Sequence, residues 1–173
     1  IVRRQALGLP PPIVLRGVDN MELADRVAIQ ISEHKPDAVF IDSGGGAGVI
    51  DRLRQMGHRV QEVPFGGKAM DDKQFKNRRS EMWWKMRDWI RGGGLIPDML
   101  ALKQELATPT YTYDSAGRKV LESKEQIKKR LQDQGSPDIA DALCLTFAAP
   151  VHVRGERDRM RSRKSRESFD PFS

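Results

Sequence analysis

The run AVFIDSGGGAGVIDRLRQMG, residues 38–57, constrains this chain more than any other stretch. Apolar residues Ala38 to Ile41 end on Asp42, small residues follow, and Val49, Ile50, Leu53 and Met56 then recur at helical spacing up to Gly57. A continuous apolar run leaves no polar face for water, which predicts a central strand covered on both sides. A strand handing over to a helix belongs to the layered α/β class, and the strand's end is the sheet edge where such folds bind ligands. Two chemistries suit that edge: an anion on backbone amides at Gly44 to Gly48, or a metal on Asp42. The plainer alternatives are a tight glycine turn and a helix cap on Asp42. A dinucleotide fingerprint fails by residue: Gly44 and Gly46 put Val49 where the last glycine belongs, and Gly46 and Gly48 put Asp51 there. FGGKAM, residues 65–70, lacks P-loop spacing.

The remaining pattern fits the same class. IVRRQ (1–5) and PPIVLRGV (11–18) read as strands joined by an extended proline connection. Residues 20–35 carry Ala24, Val27, Ala28 and Ile31 on one helical face, with Asp19 or Asn20 as cap. HRVQEVPF (58–65) is a further strand. A longer helix from about Lys73 to Arg91 places Phe75, Met82, Met86, Trp89 and Ile90 on its apolar side. Residues 98–107 read as a short helix and 110–123 as a hairpin about Ser-Ala-Gly. A charged helix then precedes an apolar one, which Ser136 caps with Pro137 at its first position. At 173 residues the chain suits one domain, 1–150, followed by a basic, serine-rich and largely disordered tail, 151–173. The opening IVRRQ reads as mid-strand, as in a piece of a longer protein.

Charge and acid placement narrow the function. Thirty basic residues against 24 acidic ones, a net charge of +6, favour a polyanionic partner. The single Cys144 excludes an internal disulfide and a CxxC zinc site, no run is long enough to span a membrane, and no signal peptide precedes, so an intracellular protein is expected. Asp138 and Asp141 lie one turn apart on the late apolar helix. Asp138, in the first turn, suits the helix dipole. Asp141, between Ala140 and Ala142, is costly to bury unless paired or cation-bound. Three carboxylates with no basic residue between them would repel, and oxygen-only ligands favour Mg2+ or Mn2+.

In order along the chain, AVFIDSGGGAGVIDRLRQMG, NRRSEMWWKM (77–86), ESKEQIKKRL (122–131) and SPDIADALCLTF (136–147) resemble the C-terminal nuclease domain of the large terminase subunit of tailed bacteriophages. The resemblance covers residues 1–149 and implies an RNase H-like fold, a mixed central sheet flanked by helices on both faces, here with an added hairpin. It implies a metal-dependent endonuclease that cuts concatemeric double-stranded DNA during viral genome packaging, with two cations about 4 Å apart. Asp42, Asp138 and Asp141 match the family's central-strand, auxiliary and late-helix acids, which places both catalysis and metal binding on them. The family's first-strand acid has no counterpart here.

Phosphate contacts are expected from Lys68, Lys73, Lys76, Arg78 and Arg79 beside the glycine loop, and from Lys124, Lys128, Lys129 and Arg130 after the hairpin; the alternative for each is a solvated helix face. Trp83, Trp84 and Trp89 could stack on bases or pack in the core. His34, His58 and His152 receive no role. The implied partners are DNA, the terminase ATPase domain, the portal and the small terminase subunit, and no membrane. The implied location is the cytoplasm of the infected bacterial host, transiently at the procapsid portal. Two rival functions remain: a non-catalytic DNA-binding or assembly module, and another RNase H-like enzyme such as a Holliday-junction resolvase or transposase.

Overall fold

The computed structural model describes residues 1–132 and 135–151, so the expected tail from 152 onward, with His152, lies outside the described residues. The first helix, α1 (Asn20–His34), starts at Asp19, whose carboxylate accepts from the N–H groups of Met21 and Glu22, both at 2.8 Å. It closes at Lys35, held in the left-handed region at φ 45°. Strand β1 (Phe40–Asp42) runs parallel to β2 (Gln61–Val63), in the register Phe40 to Gln61, Ile41 to Glu62 and Asp42 to Val63.

Between these strands α2 (Ser43–Gln55) begins five residues earlier than its apolar period predicts, so the glycines are helical and form no loop. Close packing accounts for two of them. A Cβ on Gly46 would stand 2.7 Å from Ile41 Cγ2, and one on Gly48 would stand 2.7 Å from Asn20 Nδ2. Glycine at these positions lets α2 lie against β1 and α1, which outweighs its poor helix propensity.

Strand β1 divides the interior because successive side chains point to opposite faces. Ile41 packs with Ala24 and Ala28 of α1 and with Val49 and Leu53 of α2. Phe40 packs on the larger core. That core gathers Met82, Trp83, Trp84 and Met86 of α3 (Arg78–Arg91), Leu102 of α4 (Leu100–Ala107), and Ala140, Leu143 and Cys144. Helices therefore cover both faces of β1, as expected.

The hairpin is formed by β3 (Tyr111–Tyr113) and β4 (Lys119–Leu121), turning at Gly117 with φ 73°. After it, α5 (Lys124–Arg130) opens with a Ser123–Gln126 capping box. The last helix, α6 (Asp138–Leu145), reaches back to pack on α3, α4 and β1. None of the helices among the described residues is long and apolar enough to cross a membrane.

Several boundaries differ from the sequence pattern. The segments 1–5 and 11–18 pair only where Ile1 and Ile13 exchange N–H to carbonyl bonds of 2.6 and 2.9 Å, since Pro10, Pro11 and Pro12 remove the donors a ladder needs. Helix α3 begins at Arg78 rather than near Lys73 because Asn77 accepts the N–H of Ser80 at 2.9 Å. Ser136 does not cap α6. Pro137 takes that position, and the Ser136 hydroxyl donates to Asp138 Oδ1 at 2.9 Å.

Candidate functional site

The parallel strand pair brings Asp42 to the end of β1, where its carboxylate accepts the Gly44 N–H at 3.1 Å and caps α2. That cap places one anion on the amide that an external anion would have used. Beside it opens a cleft of about 670 Å³, walled by Asp42 to Gly45, by Pro64 to Gly66 after β2, and by Arg79, Ser123, Lys124 and Glu125 opposite.

Behind the Arg79 and Lys124 wall lies Asp141, 3 % exposed, in the first turn of α6. Its Oδ1 accepts from Arg79 Nε at 3.0 Å and from Trp83 Nε1 at 2.7 Å. Its Oδ2 is buried without an aligned hydrogen bond, and the Lys124 Nζ stands 3.2 Å from it. The same ammonium donates to Asp138 Oδ1 at 3.0 Å, so Lys124 bridges the two aspartates of α6. Burial works against the charge on Lys124, but Asp141 and Asp138 outweigh it and raise its pKa. Burial likewise works against the Asp138 anion, and the bonds from Lys124 and Ser136 outweigh that and hold its pKa below the ordinary carboxylate range. Cys144 lies beneath, its thiol pushed well up by burial first and by Asp141 second, with Asp42 adding in the same direction. One buried thiol thus feels both Asp42 and Asp141.

The expected acids are therefore unequally assembled. Asp138 and Asp141 meet around Lys124, while Asp42 shares with Lys124 the walls of the cleft. Among the described residues no three acidic, histidine or cysteine side chains stand close enough to hold a metal as a group. The premise that no basic residue separates the acids is corrected by Lys124, and Asp141 is paired inside the protein by Arg79.

The expected phosphate contacts divide as well. Lys68, Lys73, Lys76, Lys128 and Lys129 are exposed, Lys68 pairing with Asp72 at 2.6 Å. Arg79 is buried, its Nη1 donating to the Glu122 carbonyl at 2.7 Å. Arg78 donates to the Ala148 carbonyl and lies 3.6 Å from Glu81, and Arg130 clasps Glu122 at 2.7 and 2.8 Å. Each of these three arginines holds an acceptor of the protein itself, and Arg130 does so from an exposed position. Trp83 and Trp84 belong to the core, and the half-buried Trp89 donates to the Ala6 carbonyl at 3.0 Å, so none is a free stacking platform.

Sequence reasoning missed the joint role of Arg79 and Trp83. They stand four residues apart on one face of α3, and a guanidinium and an indole N–H turned into a core require a buried acceptor. It also missed Glu105 of α4, whose Oε2 accepts the N–H groups of Ile139 and Ala140 at 2.7 and 2.9 Å and caps α6 from outside the helix. No local signal marks it, because its partner lies 34 residues away.

No family model and no curated protein sequence matches the chain. Solved structures do. A lysine-to-alanine variant of the nuclease domain of the large terminase subunit gp2 of bacterial virus Sf6, with manganese, superposes at TM-score 0.71 with 19 % identity, over 86 % of this chain and 82 % of that one. The unaltered Sf6 domain gives 0.70 and 19 %, over 87 % and 81 %. The large terminase nuclease of thermophilic phage G20c gives 0.59 and 14 %, over 83 % and 69 %. The chain has the fold of large-terminase nuclease domains.

Proposed function

We propose that this chain is the endonuclease domain of a viral DNA-packaging terminase, cutting concatemeric double-stranded DNA by divalent-metal hydrolysis. The observation that carries the reading is Asp42 at a parallel strand end, facing across one cleft the lysine that bridges Asp138 and Asp141. The large-terminase fold and the manganese in a structural neighbour support it.

The donors are of the chemical kind a hard cation takes, but among the described residues they do not close into a group that would hold one. Asp42, Asp138 and Asp141 offer carboxylate oxygens only, and Asp141 Oδ2 is a buried acceptor without an aligned donor. A positive charge is already favoured there, since an ammonium occupies the gap. Asp42 and Asp141 would hold Mg2+ or Mn2+, with Asp138 as auxiliary ligand, once Lys124 withdraws. A bound metal would supply an activated water and stabilise the leaving 3′ oxygen, and two such ions are the arrangement we favour. The protein's own residues do the rest. Arg79 and Trp83 fix Asp141, and the α2 cap fixes Asp42. Lys124, on the cleft wall, would neutralise a phosphate once withdrawn from the two aspartates of α6. Lys68, Lys73, Lys76, Lys128 and Lys129 hold the duplex by its backbone without reading sequence.

The ATPase domain, portal and small terminase subunit are the partners this role requires, in the cytoplasm of an infected host and transiently at the portal. A second reading, a DNA-binding or assembly module that does not cut, is favoured by one observation: Lys124 already neutralises the two acids of α6.

Nicking of supercoiled plasmid separates the two. Cutting with Mn2+ or Mg2+ that stops in EDTA and in folded Asp42→Ala and Asp141→Asn variants supports the nuclease. DNA binding without cutting under any metal would overturn it in favour of the assembly module.

A further inference from the structure

The hairpin carries a row of aromatic rings outside the cleft. Tyr111 and Tyr113, two residues apart on β3, share one face of the strand, 56 % and 58 % exposed, with ring centroids 5.9 Å apart. The row continues inward: the Tyr111 ring meets Trp84 perpendicularly at 4.9 Å, and Trp84 lies 5.9 Å from Phe75. Trp84 and Phe75 are buried, so the exposed pair rests on a fixed base. Cations flank it. Lys119 Nζ lies 5.0 Å from the Phe75 centroid and 5.8 Å from that of Trp84. Its acceptor there is the neutral Gln74 Oε1 at 3.4 Å, which leaves the ammonium charge open to an anion. Arg87, paired with Asp88, lies 5.4 Å from the Trp84 centroid. The exposed Lys73 and Lys76 belong to the segment whose backbone pairs with Lys119.

Protein interfaces are depleted in lysine, so lysines beside exposed rings favour a different occupant. Aromatic faces set among cations suit unpaired nucleic acid, whose bases stack while the cations follow its backbone. The two tyrosine planes meet at 76°, so bases lying on both cannot be stacked on each other. A single strand allows that arrangement. A duplex does not, because each base face is covered by its neighbours.

We propose that Tyr111 and Tyr113 form a stacking platform for unpaired bases of single-stranded DNA, with Lys119 neutralising the backbone beside them. The site goes beyond the duplex cutting proposed above and requires no metal. Every base has a π-face, so the platform reads no sequence.

The test is the fluorescence anisotropy of a labelled oligothymidylate, which forms no duplex, beside a labelled blunt duplex, both in EDTA, with the melting temperature recorded for each variant. Tyr111→Leu and Tyr113→Leu remove the aromatic face and keep apolar bulk, whereas Tyr111→Phe and Tyr113→Phe keep the face. Tyr113, one ring further from Trp84, carries the test should Tyr111→Leu unfold the hairpin. Leu95→Ser removes a 69 % exposed apolar side chain outside the hairpin and controls for unspecific adhesion. Each Leu variant is expected to lose oligothymidylate affinity about 10-fold at unchanged duplex affinity, while both Phe variants and Leu95→Ser bind as the wild type does. Oligothymidylate binding that is absent from the wild type, retained in full by both Leu variants, or lost equally in Leu95→Ser overturns the platform. So does an equal loss of duplex affinity in the Leu variants. None of these outcomes bears on the nuclease reading, which plasmid nicking decides separately.

Discussion

A carboxylate that is 3 % exposed survives in a core only by continuous compensation, and Asp141 receives it from Arg79, Trp83 and Lys124. Removing it leaves two cations facing an empty position. Asp141→Ala is expected to lose about 3–5 kcal/mol, the usual cost of breaking a buried pair from one side, measured by urea unfolding. Asp141→Asn keeps an acceptor for Arg79 and Trp83 and should lose clearly less; equal losses would mean that the hydrogen bonds to Oδ1 do not stabilise the fold. The cost of burying Asp141 was legible in its alanine neighbours. The partners were not, because Arg79 and Trp83 lie 62 and 58 residues away and only the fold brings them close.

Among the elements, α6 has no cap of its own, and Glu105 supplies one from α4. Glu105→Ala should destabilise the protein by about 1–2 kcal/mol, and Glu105→Gln, which retains the acceptor, should cost less in the same thermal melts. A second tie joins the hairpin to α5. Glu122 accepts from Arg130 and from the N–H and hydroxyl of Thr110, and its pKa is lowered to about 2, chiefly by the Arg130 hydrogen bonds. A carboxylate with a depressed folded pKa stabilises fully above its ordinary 4.5 and loses that contribution as pH falls toward 2. Stability should therefore fall across that window, and Glu122→Gln should flatten the fall; an unchanged pH profile would contradict the tie. Elements with local signals were legible: the Asp19 cap, the hairpin turn and the amphipathic faces of α1 and α3. The start of α2 was not, since its glycines answer to Ile41 and Asn20 rather than to helix propensity. Neither was the near absence of pairing across residues 1–18, where the apolar runs resemble strands and the prolines decide otherwise.

In the molecule as a whole, β1 stands between two cores, and its last residue emerges at the cleft that α3 and α5 close from the other side. Of the basic residues expected to hold phosphate, Lys68, Lys73, Lys76, Lys128, Lys129 and Arg130 are exposed and Arg79 is buried. Replacing Lys128 and Lys129 together by alanine should weaken binding to unrelated DNA sequences alike and shallow the slope of log affinity against log salt by about 2, close to one unit for each phosphate no longer neutralised. A sequence-dependent loss, or an unaltered slope, would move the duplex elsewhere.

Everything proposed for the cleft depends on Asp42 and Asp141, brought from a strand end and a late helix, forming one divalent-metal centre. Anomalous scattering from crystals soaked in Mn2+ decides whether they do. A manganese peak is expected within bonding distance of Asp42 and of Asp141 Oδ2, with Lys124 withdrawn from between the α6 aspartates. An empty site with Lys124 still bridging Asp138 and Asp141 at saturating Mn2+ would contradict the metal centre.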